Sequence, residues 1–127
     1  MSDTALGHRT WVFSGGNIPP RSTGPEPEMT SRDELCLANT GPVTTEVQVT
    51  VLFEDRDPVG PHRLSVPGQR VRHVRVNDLI DPYPVPLGVP YGLVVRSEEP
   101  VVAQLTRLDT RDGQLATAVA AGTPVLG

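Results

Sequence analysis

A tryptophan and a set of arginine, asparagine and acidic residues form the combination in this sequence best suited to holding a ligand. Trp11 is the only tryptophan in the chain. A flat indole beside polar side chains is a common way to bind a sugar, because the apolar ring face stacks while the polar groups bind the hydroxyls. We therefore predict a ligand-binding site formed by Trp11, Glu28, Arg75, Asn77, Asp78, Arg107 and Asp109.

Strand periodicity predicts which of these side chains lie together. Residues two apart share a face of a strand, so Arg75 is expected beside Asn77, and Arg107 beside Asp109. An arginine that points inward needs a carboxylate, because an unpaired buried charge is costly. We expect one of these arginines to pair with Asp78 or Asp109. Such a pair belongs either to a ligand site or to a structural salt bridge, and the tryptophan is either a stacking platform or part of the core.

The other reactive residues do not form a recognisable catalytic or metal-binding motif. Cys36 lies in an apolar strand and is expected to be a small buried hydrophobe. The spacing of the three histidines relative to it is not that of a metal site. Glu26 and Glu28 share a proline-rich loop, where the first is expected to be solvated and the second hydrogen-bonded. We predict no catalytic residues, no metal and no cofactor; an unrecognised enzyme is the more distant alternative.

Size and charge restrict the class of protein. The chain has 127 residues, one cysteine and a net charge of −4. One domain of this length can fold without a metal or a disulfide, and a single cysteine suits a reducing compartment. With no recognisable signal peptide or membrane-length apolar run, a cytoplasmic location is expected. The negative charge argues against a nucleic-acid partner, although Arg63, Arg70 and Arg72 form a local basic stripe.

Short alternating segments predict an all-β domain. The clearest is residues 44–54, where Val47, Val49 and Val51 alternate with polar residues, as in a half-buried strand. Further strands are predicted over residues 9–13, 34–39, 62–66, 69–77, 91–97, 101–108 and 114–121. The last of these is rich in alanine and is compatible with a helix. We predict a β-sandwich of jelly-roll type with about eight short strands over residues 9–121, a flexible N-terminal tail (1–8) and a C-terminal tail (122–127).

Four sequence stretches resemble one protein family. They are TWVFSGGNIPPRSTGPEPEM, ELCLANTG, DPVGPHRLSVPGQRVRHVRVNDL and QLTRLDTR. Their order and spacing over residues 9–121 are similar to those of the sensory rhodopsin transducer family, the soluble transducers first met in cyanobacteria. The chain departs from the family pattern in its short polar N-terminus and in its ending, VAAGTPVLG.

The resemblance implies a jelly-roll β-sandwich that assembles into a cyclic homotetramer and performs no catalysis. It implies a membrane photoreceptor, met at its cytoplasmic face, or another signalling protein as the partner. The fold is also similar to that of carbohydrate-binding modules, which implies a sugar-like small molecule as a ligand. The alternative to a transducer is thus a carbohydrate or other small-ligand binding module unrelated to any photoreceptor.

Overall fold

Alternation of apolar and polar residues produces eight strands in the computed structural model, which describes residues 5–113 and 115–126. The strands are β1 (His8–Gly16), β2 (Arg32–Asn39), β3 (Thr45–Phe53), β4 (Val59–Val66), β5 (Arg70–Arg75), β6 (Tyr91–Asp109), β7 (Ala116–Ala121) and β8 (Thr123–Val125). Short 3-10 turns follow β5 and β6, at Val76–Asp78 and Arg111–Gly113. Every strand pair is antiparallel. The predicted all-β sandwich is confirmed.

The long strand β6 belongs to both sheets. Its first part, residues 91–97, lies in a sheet with the order β4-β3-β6-β1-β8. Its second part, residues 102–109, lies in a sheet with the order β5-β2-β6-β7. Our prediction of two separate strands here was wrong. The residues between the two parts stay extended, so one strand passes from sheet to sheet. At this crossing the backbone N–H of Glu99 donates to Oγ1 of Thr45 at 2.9 Å.

The core is built from the inward-facing residues of the strands. Val47, Val49 and Val51 of β3 are fully buried, as the alternation predicts, and Leu35 and Leu37 of β2 belong to the same apolar cluster. Burying each such side chain contributes about 1.5–3 kcal/mol to folding. Because β2 and β3 lie in different sheets, this shared cluster holds the two layers together.

Two predicted segments take a different form from that expected. β5 ends at Arg75 and the chain turns at Val76–Asp78, so strand alternation does not extend to Asn77. Thr123–Val125, expected in the C-terminal tail, form β8 and pair with residues 10–12 of β1. A proline is tolerated there because β8 is a short edge strand. The alanine-rich segment is a strand, β7, as predicted, and not the helix its composition also allowed. Residues 1–4 of the predicted N-terminal tail lie outside the described residues.

Candidate ligand-binding groove

A groove opens where the edge strands of the two sheets lie close together. β4 is the edge of the first sheet and β5 the edge of the second. Arg72 of β5 spans the gap, since its Nη1 donates to the carbonyl oxygen of Ser65 in β4 at 2.8 Å. The groove has a volume of about 490 Å³, which is within the range of small-molecule sites.

Charges of both signs line this groove. The basic side chains are Arg63, Arg72 and Arg75, and the acidic ones are Glu34, Asp78 and Asp81. Apolar side chains, among them Leu64 and Leu79, form the rest of the lining together with two histidines. Such a surface offers hydrogen-bond donors and acceptors at the same time, which suits a polar ligand with several hydroxyl groups.

His62 is a buried polar group of the groove whose ring makes no hydrogen bond of ordinary geometry with the described residues. Its side chain is 2% exposed, and neither Nδ1 nor Nε2 has a hydrogen-bond partner among the described residues. Burial lowers the pKa of this imidazole, while the backbone and carboxylate of Asp81 act in the opposite direction. A buried polar group without a partner is costly, so a ligand hydroxyl that reaches the ring would remove this cost.

The lowered pKa of His62 predicts a loss of stability in acid. The unfolded chain takes up a proton near the ordinary histidine pKa of about 6.5, whereas the folded chain resists it, so the free energy of unfolding falls as the pH drops below that value. We expect His62→Gln to flatten this dependence in chemical denaturation measured between about pH 7 and pH 5. An unchanged slope in the variant would contradict the assignment.

Two of the predicted site residues line the groove, and a third lies between them in the chain. Arg75 and Asp78 line it, and Asn77 stands between them in the 3-10 turn. Nη2 of Arg75 donates to the carbonyl oxygen of Pro27 at 3.4 Å. The Asn77 amide donates to the carbonyl oxygen of Ser31 at 3.3 Å, and its buried Oδ1 has no partner among the described residues. These residues thus join the proline-rich loop to one end of the groove.

Trp11 does not stand beside the groove as a stacking platform. Its side chain is 9% exposed and belongs to the apolar core. The indole Nε1 donates to the carbonyl oxygens of Val101 at 2.8 Å and His8 at 3.1 Å. Trp11 and Phe13 are buried on one face of β1, whereas Thr10 and Val12 between and beside them are partly exposed on the other. The core interpretation of this residue is therefore the one that fits the geometry.

Arg107 pairs with a carboxylate that the sequence interpretation did not select. Its Nε donates to Oδ1 of Asp33 at 2.8 Å, and Tyr91 Oη donates to Oδ2 of Asp33 at 2.6 Å. The backbone N–H of Asn17 donates to the same carboxylate at 3.1 Å. Asp33 is fully buried, so three donors replace the water it has lost. Burial raises the pKa of Tyr91 well above its ordinary value, and the hydrogen bond from Tyr91 to Asp33 raises it further.

Asp109 and Glu28 also lie outside the groove lining. Asp109 accepts from Arg111, with Nη2 of Arg111 and Oδ2 of Asp109 2.6 Å apart, and this hydrogen bond lowers the pKa of the carboxylate. The expected pairing of Asp78 or Asp109 with Arg75 or Arg107 was therefore wrong; Arg75 approaches Glu34 at 4.0 Å. Glu28 has an exposed side chain, and its carbonyl oxygen accepts from Arg32 at 3.1 Å.

One signal in the sequence could have identified Asp33. Alternation places it two residues before Leu35, hence on the core face of β2. A carboxylate in phase with buried leucines must find donors. The sequence did not reveal which donors, because Tyr91 and Arg107 come from the two ends of β6. Gly16 assists this packing, since a Cβ there would collide with the ring of Tyr91.

Comparisons with known proteins agree with this architecture. Residues 6–123 match the model of the family described as "Anabaena sensory rhodopsin transducer". The solved "Anabaena sensory rhodopsin transducer" is 43% identical, with a TM-score of 0.75 over 84% of this chain and 93% of that one. The crystal structure of "Thermotoga maritima 1070" is 33% identical, with a TM-score of 0.84 over 94% and 96% of the two chains. No curated protein gives a significant match. Within the described residues, no helix is both long and apolar enough to span a bilayer.

Proposed function

Since the chain belongs to the Anabaena sensory rhodopsin transducer family, we propose that it is a signalling protein that works by binding rather than by catalysis. In this proposal it acts in the cytoplasm, where a membrane photoreceptor or another signalling protein is its partner. The name of the solved relative is the reason to consider a sensory rhodopsin. Nucleic acid is not proposed as a partner, because the net charge of −4 opposes general binding to phosphates.

The β4–β5 groove is the observation that supports a small-molecule step in this signalling. It combines about 490 Å³ of space with charged groups of both signs and with His62, whose buried ring nitrogens have no partner among the described residues. A neutral imidazole has one donor and one acceptor nitrogen, and a ligand hydroxyl can accept from the first or donate to the second. The arginines that line the groove favour a ligand that also carries a carboxylate or a phosphate group. We propose a sugar-like ligand, which would change the contacts of the protein with its partner.

We further propose that the chain works as a homotetramer. The outer face of the second sheet supports association, since Val71 and Val119 on it are 68% and 66% exposed and Val102 is 36% exposed. Val71 and Val102 lie in register on either side of Ala38, and adjoining exposed apolar side chains are typical of an interface between proteins. Four identical sites would raise the effective affinity for a membrane-bound partner.

A thermal-shift and calorimetric experiment tests ligand binding in the groove. Glucose, glucuronate and glucose 6-phosphate serve as probes, and a ligand at a hundredfold excess over its Kd is expected to add about 2.7 kcal/mol to the free energy of unfolding. Arg72→Gln and Asp78→Asn should each weaken binding about tenfold or more, because each removes a charged hydrogen-bond partner. Arg56→Gln is the matched control, since this arginine pairs with Asp55 away from the groove.

The same preparations separate the transducer from a simple binding module. Anabaena sensory rhodopsin in detergent is titrated with the protein in light and in darkness, and light scattering counts the subunits. Binding that differs between the two conditions supports the transducer. Sugar binding without any rhodopsin binding would favour the carbohydrate or small-ligand module instead. Failure of every probe, or full binding by Arg72→Gln, would remove the groove from the proposal.

A further inference from the structure

Antiparallel pairing of β2 with β5 gathers a carboxylate, a thiol and an imidazole on the outer face of the second sheet. Cys36 lies directly opposite His73, and Glu34, two residues earlier, shares its face. Opposite side chains of this kind have Cβ atoms about 4.5–5.5 Å apart. A carboxylate oxygen, the Sγ atom and a ring nitrogen of these three residues all lie within 4.8 Å of one another.

The position of the thiol differs from the one expected from sequence. Cys36 was predicted to be buried, but the core face of β2 belongs to Leu35 and Leu37, so the thiol points outward and is half-buried. The spacing of the histidines along the chain also indicated no metal site. His73 reaches the thiol only through strand pairing, because it lies on β5.

We propose that Glu34, Cys36 and His73 bind a divalent transition-metal ion, for which Zn²⁺ is the best fit. Zn²⁺ accepts sulfur, nitrogen and oxygen ligands at about 2.0–2.3 Å, which sets its ligand atoms about 3–4 Å apart. Side-chain movements of about 1 Å would complete such a site. Mg²⁺ and Ca²⁺ prefer oxygen ligands only, so a thiol and an imidazole select against them.

In the single chain the cluster is accessible to an ion from solvent, and it shares the outer face of the second sheet with the valines proposed for association. His73 is exposed, whereas the other two ligands are partly buried. Three protein ligands leave the fourth tetrahedral position for a water molecule or another donor. Glu34 and His73 also line the β4–β5 groove, but the metal proposal does not depend on a ligand there.

Neighbouring groups limit the affinity of the cluster for a metal. Nε of Arg32 and Nε of Arg75 lie 3.3 Å and 4.0 Å from Oε2 of Glu34. A metal ion therefore competes with two guanidinium groups for the Glu34 carboxylate. Burial raises the pKa of the Cys36 thiol, although its contact with the Thr106 hydroxyl opposes this. The thiol therefore releases one proton to solvent as the metal–sulfur bond forms.

A titration with Co²⁺ tests the site, because a cobalt–thiolate bond has a charge-transfer band in the near ultraviolet. The band should saturate at one Co²⁺ per chain and disappear when Zn²⁺ is added. His73→Gln is expected to weaken Zn²⁺ binding at least about tenfold. Removing even a group that only hydrogen-bonds to a metal ligand lowers metal affinity about 10–100-fold. Cys36→Ser should abolish the band.

Control variants keep the metal proposal falsifiable. His8→Gln removes a histidine outside the cluster and should leave both band and affinity unchanged, which would support the site. Circular dichroism reports whether each variant is folded. If Cys36→Ser unfolds, Glu34→Gln takes its place; it keeps the thiol and is therefore expected to weaken Zn²⁺ binding rather than to abolish the band. A Co²⁺ complex without a thiolate band would overturn the proposal. An unchanged affinity in His73→Gln would do the same, because it would mean binding by the thiol alone.

Discussion

Replacing Asp33 by alanine is expected to lower the free energy of unfolding by about 3–5 kcal/mol. The carboxylate is fully buried and accepts from Arg107, Tyr91 and the backbone N–H of Asn17. Its removal leaves three donors without their acceptor, one of them charged. A domain of ordinary stability has only about 5–15 kcal/mol to lose, so the variant should be close to unfolding.

Denaturant titration of the wild type and four variants measures this loss. Asp33→Asn keeps an acceptor for Tyr91 but loses the ion pair, so its stability should lie between those of the wild type and the alanine variant. Asp109→Ala is the matched control, because its carboxylate pairs with Arg111 near the surface and partly exposed ion pairs contribute little. Tyr91→Phe removes a single donor and should cost about 1 kcal/mol. Equal losses for Asp33→Ala and Asp109→Ala would mean that the buried network does not support the fold.

Replacing Trp11 by alanine is expected to lower the free energy of unfolding by about 3–5 kcal/mol, as is usual when a large aromatic side chain is removed from a core. The indole is 9% exposed, packs in the apolar cluster and donates to two carbonyl oxygens. The alanine variant would contain a cavity, and the buried carbonyl oxygen of Val101 would lose its hydrogen-bond donor. Thermal unfolding followed by circular dichroism gives the change directly.

The same substitution distinguishes the two hypotheses for this tryptophan. A core residue causes unfolding when it is removed, whereas a stacking platform causes loss of ligand binding in a stable protein. Trp11→Phe is the control, because it keeps an aromatic ring in the cavity and loses only the indole N–H. It should therefore lose much less stability than Trp11→Ala. A fully stable Trp11→Ala protein that no longer binds a sugar would contradict the core assignment.

Several local features were predictable because they depend on neighbouring residues alone. The period of two in β3 identified both the strand and its buried face, with Val47, Val49 and Val51 inside. No strand was predicted between residues 77 and 91, and this proline-rich segment contains none in the structure. The end of β5 was missed, because the alternation of residues 69–77 continues past the point where the chain turns at Val76–Asp78.

Strand alternation was enough to predict which face of each strand is apolar, and from that the all-β sandwich. It did not predict which strands are neighbours, and the chemistry of the molecule depends on that arrangement. Asp33 received Arg107 and Tyr91 as partners, Cys36 came to face His73, and β4 and β5 enclosed a groove. The physical reason is that a side-chain period of two specifies a face but not a partner. Strand order and register are fixed by the packing of the whole core.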